Sequence, residues 1–188
     1  MIQTSRLTIR LPEPADVPGV VAYYRENLEF LRPYSPPFDP ELLEEAAWRE
    51  QVGQRRREFT SGESFRAFMF THASAERVAG NINLTQVFRG AFQSCILGSN
   101  LAEAELGKGY MTEAVRAVVD FAFGEWGLHR VAANYMPRNE RSAAVLKRCG
   151  FRIEGTAPAY LLINGRWEDH VLTAITNSDW KAQFENQA

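Results

Sequence analysis

The sequence predicts a mixed α/β fold, a mostly antiparallel central sheet with helices packed on its faces. Three observations carry that prediction. Short runs rich in β-branched and aromatic residues, such as LTIRL from Leu7 and RAFMFT from Arg66, have strand character. From Thr112 to Trp126 the apolar residues Val115, Val118, Val119, Ala122 and Phe123 recur instead at helical spacing. A chain of 188 residues, 45% hydrophobic and 23% charged, suits one domain over residues 1–188 whose core needs no staple.

In chain order, the strand at Leu7–Leu11 stops at Pro12-Glu13-Pro14, and a helix is expected from about Val17 to Phe30. Pro33, Pro36, Pro37 and Pro40 break the next stretch into an ordered loop, before a second helix over about Glu41–Phe59. Its Arg55–Arg57 run reads as a solvated helix end rather than a phosphate patch. RAFMFT, VAGNINL and FQSCILGSNL follow as antiparallel strands parted by turn-prone ASAE and RGA. The helix after them stops at Gly127, HRVAANYM is a strand ended by Pro137, and NERSAAVLKRCG is a helix closed by Gly150. FRIEGT and DHVLTAI are the last strands, and Asn164-Gly165 in INGRW marks a tight turn.

Charge and cysteine usage exclude several functions. Lysine plus arginine total 21 against 23 acidic residues, a net charge of −2, which argues against a dedicated nucleic-acid binder. Cys95 and Cys149 make neither a disulfide framework nor a zinc quartet, so a reduced, cytoplasmic setting is expected. His72, His129 and His170 are too scattered to suggest a metal centre. The first residues lack the apolar stretch of a signal peptide, and no window approaches the roughly 18 apolar residues of a membrane span.

The most informative local feature is Leu106-Gly107-Lys108-Gly109-Tyr110-Met111, between a strand and a helix. Two glycines let the backbone turn so that several amides converge, and the helix start adds positive dipole. Such a turn suits a phosphate or pyrophosphate; it also reads as a plain strand-to-helix bend. The spacing of a Walker loop is absent.

In its wider setting the turn resembles that of the GNAT superfamily of N-acetyltransferases. The turn is followed by a helix, a strand ending in Met136-Pro137-Arg138-Asn139, and Ser142 on a helix closing at Gly150-Phe151. More narrowly, NLEFLRPYSP, VFRGAFQSC, GKGYMTEA, HRVAANYMPRNERS, GFRIEG and YLLINGRWEDHVLTA, with Asp179-Trp180 near the end, resemble the Rim group of ribosomal-protein N-terminal acetyltransferases, in its alanine-specific RimJ type. These segments cover most of the chain. The resemblance implies a GNAT-type sheet with helices on both faces, acetyl-CoA as cosubstrate, no metal, and a ribosomal protein's N-terminus as acceptor.

It also implies roles for particular residues. Backbone amides of Gly107, Lys108, Gly109, Tyr110 and Met111 would hold the coenzyme A pyrophosphate. Backbone around Leu101 and Ala102, where the strand splays from its neighbour, would pair with the pantetheine arm. Asn139 matches an arm-binding asparagine, and it reads equally as the cap of the helix it precedes. Ser142 matches a polar position near the thioester sulfur and is the expected catalytic residue. Arg32, Tyr34 and Trp167 are expected acceptor contacts, between the N-terminal helical segment and the INGRW hairpin.

Three departures from the family pattern matter. Leu106 stands where the superfamily often has Arg or Gln, and Met111 where it has Gly or Ala, so phosphate binding must rest on backbone amides. Leu146 stands where many relatives carry a general-acid tyrosine, which moves that role to Ser142, to water or to no group. Tyr135 and Tyr160 are further hydroxyls that read equally as packing residues.

Magnitudes make a weak acid–base apparatus acceptable. A peptide α-amine with a pKa of about 7.7–8.0 is roughly one-tenth neutral at pH 7, whereas a lysine side chain near about 10.4 is neutral only about once in a few thousand molecules. The thiol leaving group, with a pKa near about 8.5, needs little protonation. Glu103, Glu105, Glu168 and Asp169 are the unranked base candidates. Two rival readings share the fold: an acetyltransferase of small amines or antibiotics, and a non-catalytic acyl-CoA-binding factor associated with the ribosome.

Overall fold

A computed structural model describes residues 1–181. One eight-stranded sheet runs through them in the order β1-β2-β3-β4-β5-β6-β8-β7. The first strands are β1 (Ile2–Gln3) and β2 (Leu7–Arg10), followed by helices α1 (Val17–Leu31) and α2 (Glu45–Thr60). The middle strands are β3 (Phe65–Thr71), β4 (Ser74–Phe88) and β5 (Ser94–Leu101), leading into α3 (Tyr110–Gly124). Then come β6 (Arg130–Tyr135), α4 (Glu140–Arg148), β7 (Arg152–Ile163) and β8 (Arg166–Thr176). Every pairing is antiparallel except β5 with β6. Among the described residues no helix is long and apolar enough to cross a membrane.

Side-chain alternation gives the sheet two apolar faces. Ala67, Met69, Ile82, Leu84 and Leu97 point to α3 and α4, where Val115, Val118, Ala122 and Leu146 complete one core. Phe68, Phe70 and Val78 point the other way and meet Val17, Val20 and Tyr23 of α1 and Trp48 of α2. Helices therefore lie on both faces, as expected. The Asn164-Gly165 turn also forms, with φ of 45° and 78°, the left-handed pair that a two-residue hairpin requires.

Some local expectations fail for identifiable reasons. The second helix begins at Glu45 rather than Glu41, because Pro40–Leu43 winds into a 3-10 turn capped by the Asp39 side chain on the Glu41 N–H at 3.0 Å, and Glu44 is extended. The β3–β4 turn is confined to His72-Ala73, so β4 takes in most of the expected ASAE turn. Arg55 is not solvated. Seven residues beyond Trp48 on one helix face, it is 5% exposed, with its guanidinium 4.8 Å from the Trp48 ring centre and 5.2 Å from that of Phe68. Its Nη1 donates to the Arg66 carbonyl at 3.1 Å, and burial pulls its pKa down to about 10, which leaves it charged at neutral pH.

The feature that positions the site is a splay between the two parallel strands. β5 and β6 pair only from Ser94↔Arg130 to Ile96↔Ala132. Beyond that, β5 stays with β4 out to Leu101↔Gly80, and β6 stays with β8 out to Tyr135↔Val171. Gly80 is required where β4 meets the end of β5. A Cβ there would lie 2.4 Å from the Asn100 carbonyl oxygen and 3.0 Å from the Leu101 Cα.

The N-terminal arm is fastened to α3 by one carboxylate. Glu113 accepts from the Thr4 and Ser5 hydroxyls at 2.6 and 3.0 Å, and from the Arg6 N–H and Nε at 2.9 and 2.7 Å. Burial alone would push its pKa up, but these donors outweigh that and hold it down at about 2.

Two predictions follow from these contacts. Gly80→Ala should destabilise the fold by about 2–3 kcal/mol in urea unfolding, because the clash is with backbone that cannot swing away. Glu113 has a folded pKa below its unfolded one, so its contribution is complete above about pH 4.5 and fades as pH falls towards about 2. The stability gap between the protein and Glu113→Gln, followed by thermal unfolding, should narrow across that interval.

Candidate active site

Gly107 and Gly109 both adopt left-handed φ, 75° and 81°, and Gly109 is the N-cap of α3 with no side chain to satisfy the helix start. Among the described residues, no backbone N–H from Gly107 to Thr112 donates a hydrogen bond. Arg6 braces the turn from outside, donating from Nη1 to the Lys108 carbonyl at 2.8 Å and resting 4.8 Å from the Tyr110 ring centre. The unpaired amides and the positive end of the α3 dipole make an anion site built from backbone.

These amides border a groove of about 1210 Å³ that runs from the N-terminal arm past the turn and between α3 and α4. Leu101, Gly107, Gly109, Tyr110 and Met111 line it, so the structure brings these five expected residues together. Arg6, Arg116, Arg141 and Arg148 line it too. Sequence reasoning missed these arginines, although Arg141, Ala144, Val145 and Arg148 keep the i, i+3, i+4, i+7 spacing of one helix face. Opposing charge from Glu113, Asp120 and Glu140 is also present on the walls.

Other expected residues are placed differently. Ala102 is buried, with its N–H on the Ala79 carbonyl at 2.8 Å and its own carbonyl accepting from Glu105 N at 3.0 Å, so its N–H is not free for a ligand. Lys108 points out of the groove and pairs with Glu105 at 2.9 Å. Asn139 caps α4, its Oδ1 accepting from the Ser142 N–H at 3.1 Å. Ser142 is half-buried four residues before buried Leu146, which turns it towards the sheet at the start of α4 instead of into the groove.

On the opposite sheet face, the segment after α1 meets the β7–β8 hairpin. Arg138 joins them, donating to the Pro33 carbonyl at 3.1 Å and pairing with Glu168 at 2.6 Å, and Asn164 N–H donates to the Ser35 carbonyl at 3.0 Å. Arg32 pairs with Glu29 at 2.8 Å, and Tyr34 is exposed beside it. Trp167 is 65% exposed and, by strand alternation, projects from the face opposite to Glu168, so it does not join Arg32 and Tyr34. Arg138, missed from sequence, is the residue that closes this cleft.

The carboxylates are mostly engaged. Glu105 holds Lys108, Glu168 holds Arg138, and Asp169 accepts from the Ala159 N–H at 2.8 Å. Glu103 is exposed, with its backbone N–H on the Asn27 side chain at 2.9 Å. The row facing α1 beside the splay is built of neutral amides: Asn100 accepts from the Tyr23 hydroxyl, Asn81 donates to that of Tyr24 at 3.1 Å, and Asn83 donates to Asn81 at 3.2 Å.

Comparison with known proteins agrees with this geometry. A family model described as an acetyltransferase (GNAT) domain matches residues 6–152. The chain is 38% identical over 179 residues to the [ribosomal protein uS5]-alanine N-acetyltransferase of Escherichia coli strain K12, covering 95% of this chain and 92% of that one. The crystal structure of a ribosomal-protein-S5-alanine acetyltransferase from Vibrio fischeri superposes with a TM-score of 0.91 at 32% identity, covering 96% of this chain and 98% of that one. Mycobacterium smegmatis RimJ in complex with CoA-disulfide gives a TM-score of 0.84 at 27% identity, over 94% and 84% of the two chains. The chain belongs to the acetyltransferase (GNAT) domain family and is an N-acetyltransferase.

Proposed function

We propose that the protein transfers acetyl from acetyl-CoA to the α-amine of a protein N-terminus, an N-terminal alanine of ribosomal protein uS5, in the cytoplasm. The observation that carries the coenzyme half is the run of unpaired amides from Gly107 to Thr112 on a groove that reaches the splay. A pyrophosphate on those amides leaves the pantetheine arm to follow the β5 edge near Leu101, where pairing with β6 has ended. Both strands carry unpaired backbone groups along the splay, and the amide-bearing arm is complementary to them.

The acceptor half rests on chemistry as well as on the relatives' names. Of the four candidate carboxylates, Glu105, Glu168 and Asp169 are engaged and only the exposed Glu103 is uncommitted, which favours an acceptor that needs little deprotonation. An α-amine needs no strong base. It attacks the thioester carbon once neutral, the C–S bond breaks, and a thiolate leaves that is stable enough to need no acid. Ser142 is the proposed donor of a hydrogen bond on the sulfur side, from its half-buried position in the first turn of α4. Arg32 and Tyr34 would meet the acceptor chain where the α1 end approaches β8.

Gly109→Val should raise the KM for acetyl-CoA at least tenfold, since its φ of 81° is a conformation that a β-branched residue strongly resists. Unchanged coenzyme kinetics would remove the pyrophosphate from this turn. Ser142→Ala should lower kcat more than coenzyme affinity. Thiol release from acetyl-CoA, measured with short peptides differing at residue one alongside spermidine and an aminoglycoside, tests the acceptor. Turnover on alanine-starting peptides is expected; turnover on the small amines alone would overturn the peptide reading.

A further inference from the structure

We infer that the Tyr160 hydroxyl is a catalytic hydrogen-bond donor to the thioester carbonyl oxygen, aimed by a strained bulge in β7 that Asp169 holds in place. This rests on the acetyl-transfer reading but not on the preference for alanine.

The bulge is the first observation. β7 pairs with β8 on either side of a register shift between Ala157 and Leu161. Within that gap Ala159 adopts φ of 47°, a left-handed conformation that residues bearing a Cβ avoid. The Asp169 carboxylate secures it, accepting from the Ala159 N–H at 2.8 Å. Bulges of this kind re-aim the side chains beside them, and strained backbone concentrates at functional sites.

The side chain re-aimed here is Tyr160. From the edge strand β7 it reaches across β8 to β6, where its Oη accepts from Asn134 Nδ2 at 3.2 Å. Its ring lies 5.6 Å, centre to centre, from that of His170, which is 4% exposed. His170 Nδ1 is 3.0 Å from the Glu168 carbonyl; a carbonyl only accepts, so Nδ1 carries the proton and the ring is locked as a support. Asn134 is the second β6 residue past the last pair with β5, which puts the phenol at the splay. An amide nitrogen only donates, so the phenol's own proton points elsewhere, and no acceptor for it exists among the described residues.

The chemistry suits a donor that keeps its proton. When the amine adds to the thioester carbon, the C=O electron pair moves onto oxygen. That oxyanion takes a hydrogen bond from the phenol, whose O–H is a stronger donor than a backbone amide N–H. The pair then re-forms the carbonyl, the C–S bond breaks with its electrons going to sulfur, and the proton lost by nitrogen goes to water. Tyr160 lies on the sheet face shared with α1, away from the α3–α4 groove, so it meets the carbonyl from the side on which the amine arrives.

The test uses the full chain with whichever amine of the panel turns over fastest, so it stays informative if the alanine preference fails. Tyr160→Phe should lower kcat about a hundredfold while both KM values and coenzyme A affinity by calorimetry stay within about twofold. Asp169→Ala, which releases the bulge, should lose kcat to a similar degree. Asp169→Asn, which keeps an accepting oxygen, should recover most of it, and Asp169→Ala combined with Tyr160→Phe should be no worse than Tyr160→Phe alone. A kcat unchanged in Tyr160→Phe, a loss confined to acceptor KM, or additive losses in the double variant would each overturn the assignment.

Discussion

The geometry of the whole site depends on β5 and β6 parting after Ile96↔Ala132. Two adjacent parallel strands would ordinarily continue their ladder, because unpaired backbone groups are costly when water is excluded. Here each strand is held by its other neighbour, β5 by β4 to Leu101 and β6 by β8 to Tyr135, so neither can swing back to close the gap. Gly80 lets β4 stay in register at the last pair, where any side chain would strike the Asn100 carbonyl. The opening is thus part of the folded frame and needs no ligand to create it, which lowers the ordering cost of binding.

Anion recognition in this frame comes from backbone geometry more than from side chains. The Leu106 side chain cannot hydrogen bond, Lys108 is paired outward with Glu105, and the N–H groups from Gly107 to Thr112 are left to converge. An amide cradle is only as good as its rigidity. The Thr4, Ser5 and Arg6 contacts to Glu113 supply that rigidity by tying the arm to the first turn of α3, while Arg6 also grips the Lys108 carbonyl. The arm therefore braces the glycine turn although its own contacts are with Glu113 and the Lys108 carbonyl.

Most of the fold was legible because it is written in local patterns: the period of α3, the Gly-x-Gly turn and the Asn164-Gly165 hairpin each declare themselves within a few residues. What stayed hidden depended on distant partners. Arg55 reads as surface until Trp48 and Phe68 are seen packed against it. Ala102 sits beside the expected cofactor strand, yet its amide answers to Ala79 across the sheet. Asn139 carried two readings from the start, and the cap is the one realised in these contacts. Trp167 was grouped with Tyr34 by proximity to the hairpin, whereas strand alternation sends it to the other face.

On the proposed reading, the two faces of the sheet divide the reaction between them. The groove between α3 and α4 opens on one face, rimmed by arginines and free amides that suit a polyanion. On the opposite face, beside the splay, Asn81, Asn83, Asn100 and Asn134 bond among themselves and to the hydroxyls of Tyr23, Tyr24 and Tyr160, a largely buried layer of neutral polar groups. A cationic amine would gain little there, because the nearby carboxylate of Glu168 is committed to Arg138. A peptide end, whose amine is partly neutral at physiological pH and whose backbone needs hydrogen bonds instead of counter-charge, matches such a layer. On that reading, freeing Glu168 from Arg138 would favour amines that must be stripped of a proton before they can attack.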